Sequence, residues 1–310
     1  MRKIASGGRA RVGRCSALVG VRLAGIVAMC LLGACAASVP TISSGDAAVS
    51  STVVDAPSTV DPAVATSTAD RLRGPQPVTA CQQIAFDIGV RRGTATQVVV
   101  VTTISTSSSS ATLRVATLSE RGWTCGPEMS ARVGRNGVRP LLDRRSGDGT
   151  TPAGVFPLGV MTAWDGKVFR MFGNSADPGV TAGPYRRVRT GDCFGATPNH
   201  PDYGHLVYRS AAECPGPDDE YLPKYTNTYE HAALIGANME PDVSGDAPGE
   251  IPYAAAIFLH RHSYDGTGAT KPTSGCVSLR HDDLVAVLRA LRPDVVFAIG
   301  TEEWLLSGAW

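Results

Sequence analysis

The sequence predicts a mainly β domain, with at least one packed helix, over residues 78–310. Three observations favour this fold class. Short apolar runs separated by turn residues recur through this region. The 34 Gly and 21 Pro of the chain favour a turn-rich fold over a helical bundle. The first aromatic residue is Phe86, and much of the N-terminal quarter of the chain cannot join a packed core.

Residues 1–34 have the pattern of a cleavable export signal. They carry six basic groups and no acid, and an apolar run at Leu23–Leu32, too short to span a bilayer comfortably, precedes Cys35. The tetrad Leu32-Gly33-Ala34-Cys35 also resembles a bacterial lipobox, in which the Cys becomes the acylated first residue. We therefore expect a signal peptide over 1–34 and a lipid anchor on Cys35. A plain secretory signal cut near Ala37 is the alternative.

Residues 35–77, from the lipidated Cys onward, are predicted to form a disordered tether. They are mostly Ala, Ser, Thr, Val, Pro and Asp, with no aromatic residue and almost no periodicity. A flexible coil of this length reaches roughly 35 Å, which would hold the domain above a membrane. The chain beyond the signal is net acidic and has no run of Lys or Arg, which argues against a nucleic-acid partner.

The remaining region contains a series of predicted strands and one clear helix. The first two strands, Gln97–Thr103 and Ala111–Ser119, are expected to form a hairpin. The helix is predicted at Asp282–Leu291, where four apolar residues share one face ahead of Pro293. The other predicted strands are Val155–Val160, Val168–Phe172, His205–Arg209, His231–Ala237, Ala254–His260 and Val295–Ile299.

The cysteines predict two disulfides and one free thiol. Three of the eight cysteines lie in the signal or at the lipidation site, and the others remain in the exported body. Cys81 precedes the first strand-like run and Cys125 ends the next one, so a bridge between them would pin the start of the domain. Cys193 and Cys214 flank a Pro-, Gly- and Asp-rich loop that a second bridge would close. Four cysteines allow three pairings, and the one chosen here leaves Cys276 free.

The residues best suited to chemistry are Cys276 and His260. Cys276 follows Gly275 in a turn, and with a helix expected after it, backbone N–H groups there could form an oxyanion hole. A thiol needs a base or a positive field to become a nucleophile near neutral pH, and His260 ends an apolar run. His262 competes for this role, because residues two apart in a strand point to the same side. A buried structural Cys and His is the alternative interpretation.

Two segments resemble the YkuD-type L,D-transpeptidases, cysteine enzymes of bacterial cell-wall peptidoglycan. The family pattern is a His, a loop and then Ser/Thr-His-Gly-Cys-x-Asn/Arg, and here His260 is followed by Thr273-Ser274-Gly275-Cys276. Residues 146–158, SGDGTTPAGVFPL, resemble the family segment Gly-x-x-x-Thr-Pro-x-Gly-x-Phe. Ser274 stands in the place of the second His and Ser278 in that of the Asn/Arg. The resemblance covers about residues 90–300 and implies an L,D-transpeptidase-like β-sandwich.

The resemblance implies acyl transfer on peptidoglycan stem peptides. Cys276 would attack the carbonyl after the L-centre of the third stem residue and expel the terminal D-Ala, with His260 activating the thiol. An amine from another stem would resolve the thioester as a 3→3 cross-link, whereas water would make the protein an L,D-carboxypeptidase. Thr273, Ser274 and Gly275 are candidate oxyanion or site-support residues.

Further expectations follow from the same resemblance. Arg280, Tyr229 and His262 are candidate substrate-binding residues, no metal or other cofactor is expected, and carbapenem-type β-lactams are expected to inhibit the enzyme. The expected place of action is the outer face of the bacterial cytoplasmic membrane or the cell wall. There the reaction would contribute to peptidoglycan biosynthesis, cell-wall organisation and cell shape.

Two other classes of function remain open at the level of sequence. A zinc peptidase could draw ligands from His260, His262 and Cys276, or from His200 and His205, although no HExxH or CxxC fixes a ligand set. An inactive domain of the same fold could bind peptidoglycan without acting on it.

Overall fold

The computed structural model describes residues 78–210, 214–239, 243, 247 and 249–310. The predicted signal peptide, the lipidation of Cys35 and the tether as far as residue 77 lie outside the described residues. Within this part of the chain, no helix combines the length and the apolar composition needed to cross a bilayer.

The described residues form a mainly β domain, as the sequence predicts. The helices are α1 (Ala80–Arg92), α2 (His281–Ala290) and α3 (Glu302–Ser307). The strands are β1 (Gln97–Thr103), β2 (Ser110–Ser119), β3 (Gly122–Cys125), β4 (Met129–Arg132), β5 (Val138–Pro140), β6 (Thr151–Pro157), β7 (Met161–Thr162), β8 (Val168–Phe169), β9 (Met171–Gly173), β10 (Tyr185–Arg187), β11 (Asp192–Phe194), β12 (Leu206–Tyr208), β13 (Glu220–Tyr221), β14 (Ala232–Leu234), β15 (Phe258–Arg261), β16 (Val277–Leu279) and β17 (Val296–Thr301).

Most strands of the described residues belong to one large mixed sheet. Its order is β10-β9-β14-β15-β16-β4-β2-β1-β17-β6-β5, with β3 beside β2. The pairs β15–β16 and β1–β17 are parallel, and the predicted hairpin β1–β2 is antiparallel. A second sheet has the order β12-β11-β13, and β7 pairs with β8.

Residues from both halves of the large sheet enclose one apolar core. Val99 of β1, Leu259 of β15 and Val277 of β16 are fully buried in it, and Leu284 and Leu288 of α2 pack into the same cluster. Two parts of a sheet that face each other across a shared core form a sandwich. The packed helix predicted at Asp282–Leu291 is α2, which begins and ends one residue earlier.

The other face of the central strands is covered by α1. Val98 and Val100 alternate with the residues of the first core and contact Ile84 and Ile88 of α1 within a second buried cluster. Both faces of β1 are therefore buried, which explains why its sequence is a continuous apolar run rather than an alternating one.

Sequence analysis missed α1. Its apolar residues do not share one face: Ile84 and Ile88 are buried, whereas Phe86 and Val90 are exposed. The helix start is nevertheless well defined, because Thr79 and Gln82 form a reciprocal capping box. Capping and the contacts with β1 therefore specify a helix that periodicity does not reveal.

Two disulfides, Cys81–Cys125 and Cys193–Cys214, join the pairs expected from the sequence. Cys81 lies inside α1 and not in a segment leading into a strand, so the first bridge ties a helix to β3. Cys276 is the free cysteine of the described residues. Disulfides persist in oxidising compartments, and the pair of them indicates an extracytoplasmic protein.

Several predicted strand bounds are wrong where the strands are short. Only the first three residues of the run Val155–Val160 belong to β6, which starts at Thr151 and stops at Pro157. Only the last three residues of Ala254–His260 belong to β15, and the run Val168–Phe172 is divided between β8 and β9. Apolar runs of this length show that a segment is buried but do not fix which residues make ladder hydrogen bonds.

Candidate active site

The free thiol of Cys276 lies at the point where the Gly275 turn enters β16. It is 8% exposed and belongs to an aromatic-rich third cluster that includes Phe258 and Tyr229. The backbone N–H of Phe258 donates to Sγ at 3.4 Å, and the thiol donates to the carbonyl oxygen of Ala256 at 3.2 Å. The thiol is therefore buried but hydrogen-bonded on both sides.

The turn before Cys276 is held by two threonines. Thr273 Oγ1 donates to the Cys276 carbonyl at 2.6 Å and accepts the N–H of Gly275 at 3.2 Å. Thr151 Oγ1 of β6 donates to the same carbonyl at 3.2 Å. A Cβ at Gly275 would meet the carbonyl oxygen of Thr150 at 3.1 Å, so the close approach of the two segments favours glycine there.

These contacts join the two segments that carry the family resemblance. Thr150 and Thr151 belong to residues 146–158, and they contact the Thr273–Cys276 turn directly. One expectation about this turn is wrong: Cys276 is followed by β16 and not directly by a helix. The N–H of Gly275 also binds Thr273, so in this structure it is occupied and not available as an oxyanion donor.

His260 lies on β15 with a defined tautomer. Its Nδ1 is 2.7 Å from the carbonyl oxygen of Arg261, which can only accept, so Nδ1 carries the proton and Nε2 has the free lone pair. β15 pairs in parallel with β16, and His260 stands opposite Ser278. Cys276 lies one residue before β16 and packs in the same cluster as Phe258, which is two residues before His260 on β15, so the thiol and His260 lie on the same face of the sheet.

Burial keeps both members of this pair neutral. It raises the pKa of the Cys276 thiol to about 12, with the Glu220 carboxyl acting in the same direction. It lowers the pKa of His260 to about 4, against the effect of the hydrogen bond to Arg261. No hydrogen bond joins His260 to Cys276 among the described residues. The resting state is therefore a thiol and a neutral imidazole. This arrangement suits proton transfer during the attack of the sulfur, and it differs from a thiolate–imidazolium ion pair that exists before substrate binds.

His262 has a different partner. Its Nδ1 lies 2.9 Å from Ser278 Oγ, and its backbone N–H donates to the carbonyl of Leu279. Burial lowers its pKa, and the charge of Arg132 acts in the same direction. His262 thus lies two residues beyond His260 along the chain, and its ring contacts Ser278, which stands where the resembled pattern has Asn or Arg.

The thiol borders a cleft of about 180 Å³ built from five stretches of chain. One stretch precedes β6, one follows β11, one leads into β13, one precedes β15 and one is the Cys276 turn. The lining residues are Arg144, Ser146, Gly147, Ala196, Asp218, Glu220, Ala255, Ala256, Ile257, Ser274, Gly275 and Cys276.

The three charged residues of this cleft, Arg144, Asp218 and Glu220, were not found from the sequence. Arg144 is buried; it donates to the carbonyl of Tyr253 at 2.5 Å and pairs with Asp148 at 3.5 Å. Glu220 of β13 accepts a hydrogen bond from the Tyr229 hydroxyl, and burial raises the pKa of its carboxyl to about 7. Arg144 lies two residues before the segment 146–158, so the sequence could have suggested it as a site residue. No motif in the sequence around Glu220 indicates that it lies at the cleft.

The candidate substrate-binding residues are dispersed. Tyr229 is buried beneath the cleft, with its ring edge-on to His260 at 5.5 Å, so it supports the site rather than lining it. Arg280 is exposed at the start of α2 and pairs with Asp283 at 3.4 Å, outside the cleft. Ser274 is exposed and does line the cleft.

The described residues contain no group of three or more His, Cys, Asp or Glu arranged to hold a metal ion. His200 and His205 line a different cavity from the one that Cys276 borders.

Comparisons with models of protein families, with curated proteins and with solved structures find no match to this chain. The chemistry of the site is therefore argued from Cys276, His260 and the cleft around them.

Proposed function

We propose that the protein is an exported cysteine acyltransferase of the bacterial cell wall, an L,D-transpeptidase that forms 3→3 cross-links through a thioester on Cys276. The observation that carries the proposal is the free thiol at a cleft, on the same sheet face as a histidine whose Nε2 lone pair is available. The other cysteines of the described residues are in disulfides, so Cys276 is the one thiol there able to act.

The first half of the reaction uses the neutral pair. The thiol proton of Cys276 passes to Nε2 of His260 as sulfur attacks the substrate carbonyl, and the carbonyl becomes a tetrahedral oxyanion. The C–N bond then breaks, and His260 returns the proton to the leaving amine of D-Ala. The products of this half-reaction are a Cys276 thioester, free D-Ala and a neutral His260. The hydrogen bond that Nδ1–H of His260 donates to the Arg261 carbonyl fixes the tautomer needed for both transfers.

Intact-mass measurement of the full chain tests the proposal. We expect a covalent adduct on wild type, but not on Cys276→Ala, after incubation with a tetrapeptide-stem muropeptide and with a carbapenem. Product analysis then separates the reactions: 3→3 dimers support transpeptidation, and tripeptides without dimers support an L,D-carboxypeptidase. Absence of both products and of any carbapenem adduct, with Cys276 reduced and the chain folded, would favour a domain that only binds peptidoglycan.

A further inference from the structure

The cleft holds a carboxyl group that the acylation step does not use. Glu220 Oε2 accepts the hydrogen bond of the Tyr229 hydroxyl, and Oε1 has no hydrogen-bond partner among the described residues. Glu220 and Cys276 line the same cleft, and the carboxyl is close enough to Cys276 to raise the pKa of the thiol. One oxygen is thus anchored, while the other is left for a group that enters the cleft.

The position of Glu220 is set by the small sheet. Glu220 pairs with Phe194 of β11, and the preceding residue of β11, Cys193, is bridged to Cys214. The neighbouring Asp219 is engaged differently, because its carboxylate accepts the backbone N–H groups of Ala196, Thr197 and Gly216. The carboxylate of Asp219 is therefore occupied by backbone N–H groups of the loop, whereas Glu220 lines the cleft.

The other ionisable groups near Glu220 do not duplicate its role. Tyr229 stays a neutral donor, because burial raises the pKa of its hydroxyl well above the usual value. Tyr225 likewise has a raised pKa, from burial and then from the charge of Glu220. The remaining charged or titratable groups on the cleft are Arg144, Asp218 and Cys276. Arg144 cannot accept a proton at neutral pH, and Asp218 is exposed to solvent.

The second half of the reaction releases more protons than His260 can take. An alkyl amine has a pKa of about 10, so the acceptor arrives as an ammonium carrying three protons. When its nitrogen attacks the thioester and the C–S bond breaks, the new amide keeps one proton and two must leave. One passes through His260 to restore the Cys276 thiol. The other requires a second acceptor.

We propose that Glu220 accepts this second proton through Oε1 and so directs the Cys276 thioester toward an amine rather than toward water. The inference rests on the proposed function and deepens it, since it assigns the group that handles the acceptor. Water does not need this group: His260 takes one proton from the attacking water for the thiolate, and the second leaves when the carboxylic acid product ionises in solvent. Glu220 therefore affects cross-linking and not hydrolysis.

The test compares Glu220→Gln with Asp218→Asn in the full chain. The glutamine keeps an oxygen that can accept the Tyr229 hydrogen bond but cannot take a proton at neutral pH. We expect its rate of dimer formation to fall by about a hundredfold or more, the usual effect of removing a general base. Acylation by a carbapenem and hydrolysis to tripeptide should not slow. Asp218→Asn, which removes a carboxylate from the same cleft, should leave the ratio of dimer to tripeptide unchanged.

Two readouts distinguish proton transfer from a structural role. With hydroxylamine as acceptor, which is already neutral at neutral pH, Glu220→Gln should match wild type. With an alkyl amine, the wild-type rate should level off above about pH 7, where Glu220 is ionised, whereas the Glu220→Gln rate should keep rising toward the pKa of the amine. Equal loss with both acceptors would overturn the proposal.

A second variant, Tyr229→Phe, tests the proposal if Glu220→Gln does not fold. Tyr229→Phe removes a hydrogen bond that lowers the pKa of Glu220, so the pH at which the amine rate levels off should move upward. An unmoved profile would contradict the role of Glu220. Wild type that acylates Cys276 but yields tripeptide alone would also contradict it while leaving the nucleophile intact. Wild type that is never acylated would refute the proposed function itself, and the Glu220 role with it.

Discussion

His260 and His262 differ in what binds their Nδ1 atoms, and this difference separates their chemical roles. His260 binds a backbone carbonyl, so its tautomer is fixed and Nε2 has a lone pair on the sheet face of Cys276. His262 contacts the hydroxyl of Ser278 through Nδ1, and its ring is also hydrogen-bonded to the backbone of Ser130, so it has two partners where His260 has one. A fixed tautomer is what a general base requires, because the proton must leave from and return to the same nitrogen.

Alkylation of Cys276 by a small thiol reagent should distinguish the two histidines. We expect His260→Ala to slow the reaction near neutral pH by at least about tenfold, because the buried thiol loses its proton acceptor. His262→Ala serves as the matched control and should react within about twofold of wild type. The reverse order of effects would move the base to His262, and equal effects would indicate a network shared by both side chains.

At the residue level, the free thiol at the cleft could be predicted from the sequence, whereas the opposite wall of the cleft could not. Cys276 could be found by counting, because the other cysteines of the body pair with each other. Glu220 could not, because its significance comes from a hydroxyl nine residues away and from a sheet that brings it to Cys276. Its local sequence is that of any acidic residue in a loop-rich segment.

At the level of elements, the two disulfides stabilise different parts of the domain. Cys81–Cys125 ties α1 to β3, beside the second apolar cluster and away from the cleft. Cys193–Cys214 anchors β11, whose neighbour β13 carries Glu220. Their removal should therefore have similar effects on stability but different effects on the reaction.

Paired double substitutions test this separation. Cys193→Ala with Cys214→Ala and Cys81→Ala with Cys125→Ala should each lower the free energy of unfolding by about 2–4 kcal/mol, measured by urea denaturation. Only the first pair should also lower the ratio of dimer to tripeptide, because it loosens the sheet that presents Glu220. Acylation by a carbapenem should persist in both. A lowered ratio in the Cys81/Cys125 variant would show that general loosening, and not the position of β13, controls the acceptor.

Hydrophobic periodicity in the sequence predicts an element well when that element buries only one of its faces. The α2 helix places Leu284, Val287 and Leu288 on one buried face, and its predicted bounds are within one residue of those observed. The short strands β11, β13 and β16 were missed, because two or three residues carry no periodic signal. They are specified by their neighbours in the two sheets, and one of them, β13, places Glu220 in the cleft.

At the scale of the whole molecule, the third apolar cluster links stability to the proposed reaction. It contains Cys276 and Tyr229 together with aromatic residues of the large and small sheets, such as Phe258 and Phe194. The same burial that stabilises the domain holds His260 neutral and raises the pKa of Glu220. The free energy of unfolding should therefore depend on pH through these two groups, with opposite signs.

The signs follow from proton binding in the folded and unfolded chain. His260 has a pKa of about 4 when folded and 6.5 when unfolded, so the unfolded chain binds more protons between these values and stability rises with pH. Glu220 has a pKa of about 7 when folded and 4.5 when unfolded, so stability falls as pH rises through that window. Each effect is about 3 kcal/mol at most, and the two oppose each other between pH 4.5 and 6.5.

Removing either group should expose the effect of the other. Relative to wild type, the free energy of unfolding of His260→Gln should fall as pH rises from about 4.5 to 6.5, because the stabilising trend of His260 is gone. That of Glu220→Gln should rise over the same range. Urea denaturation at a series of pH values measures both differences. Since the remaining titratable groups are common to all variants, parallel curves for His260→Gln and Glu220→Gln would mean that burial does not perturb these two side chains in opposite directions.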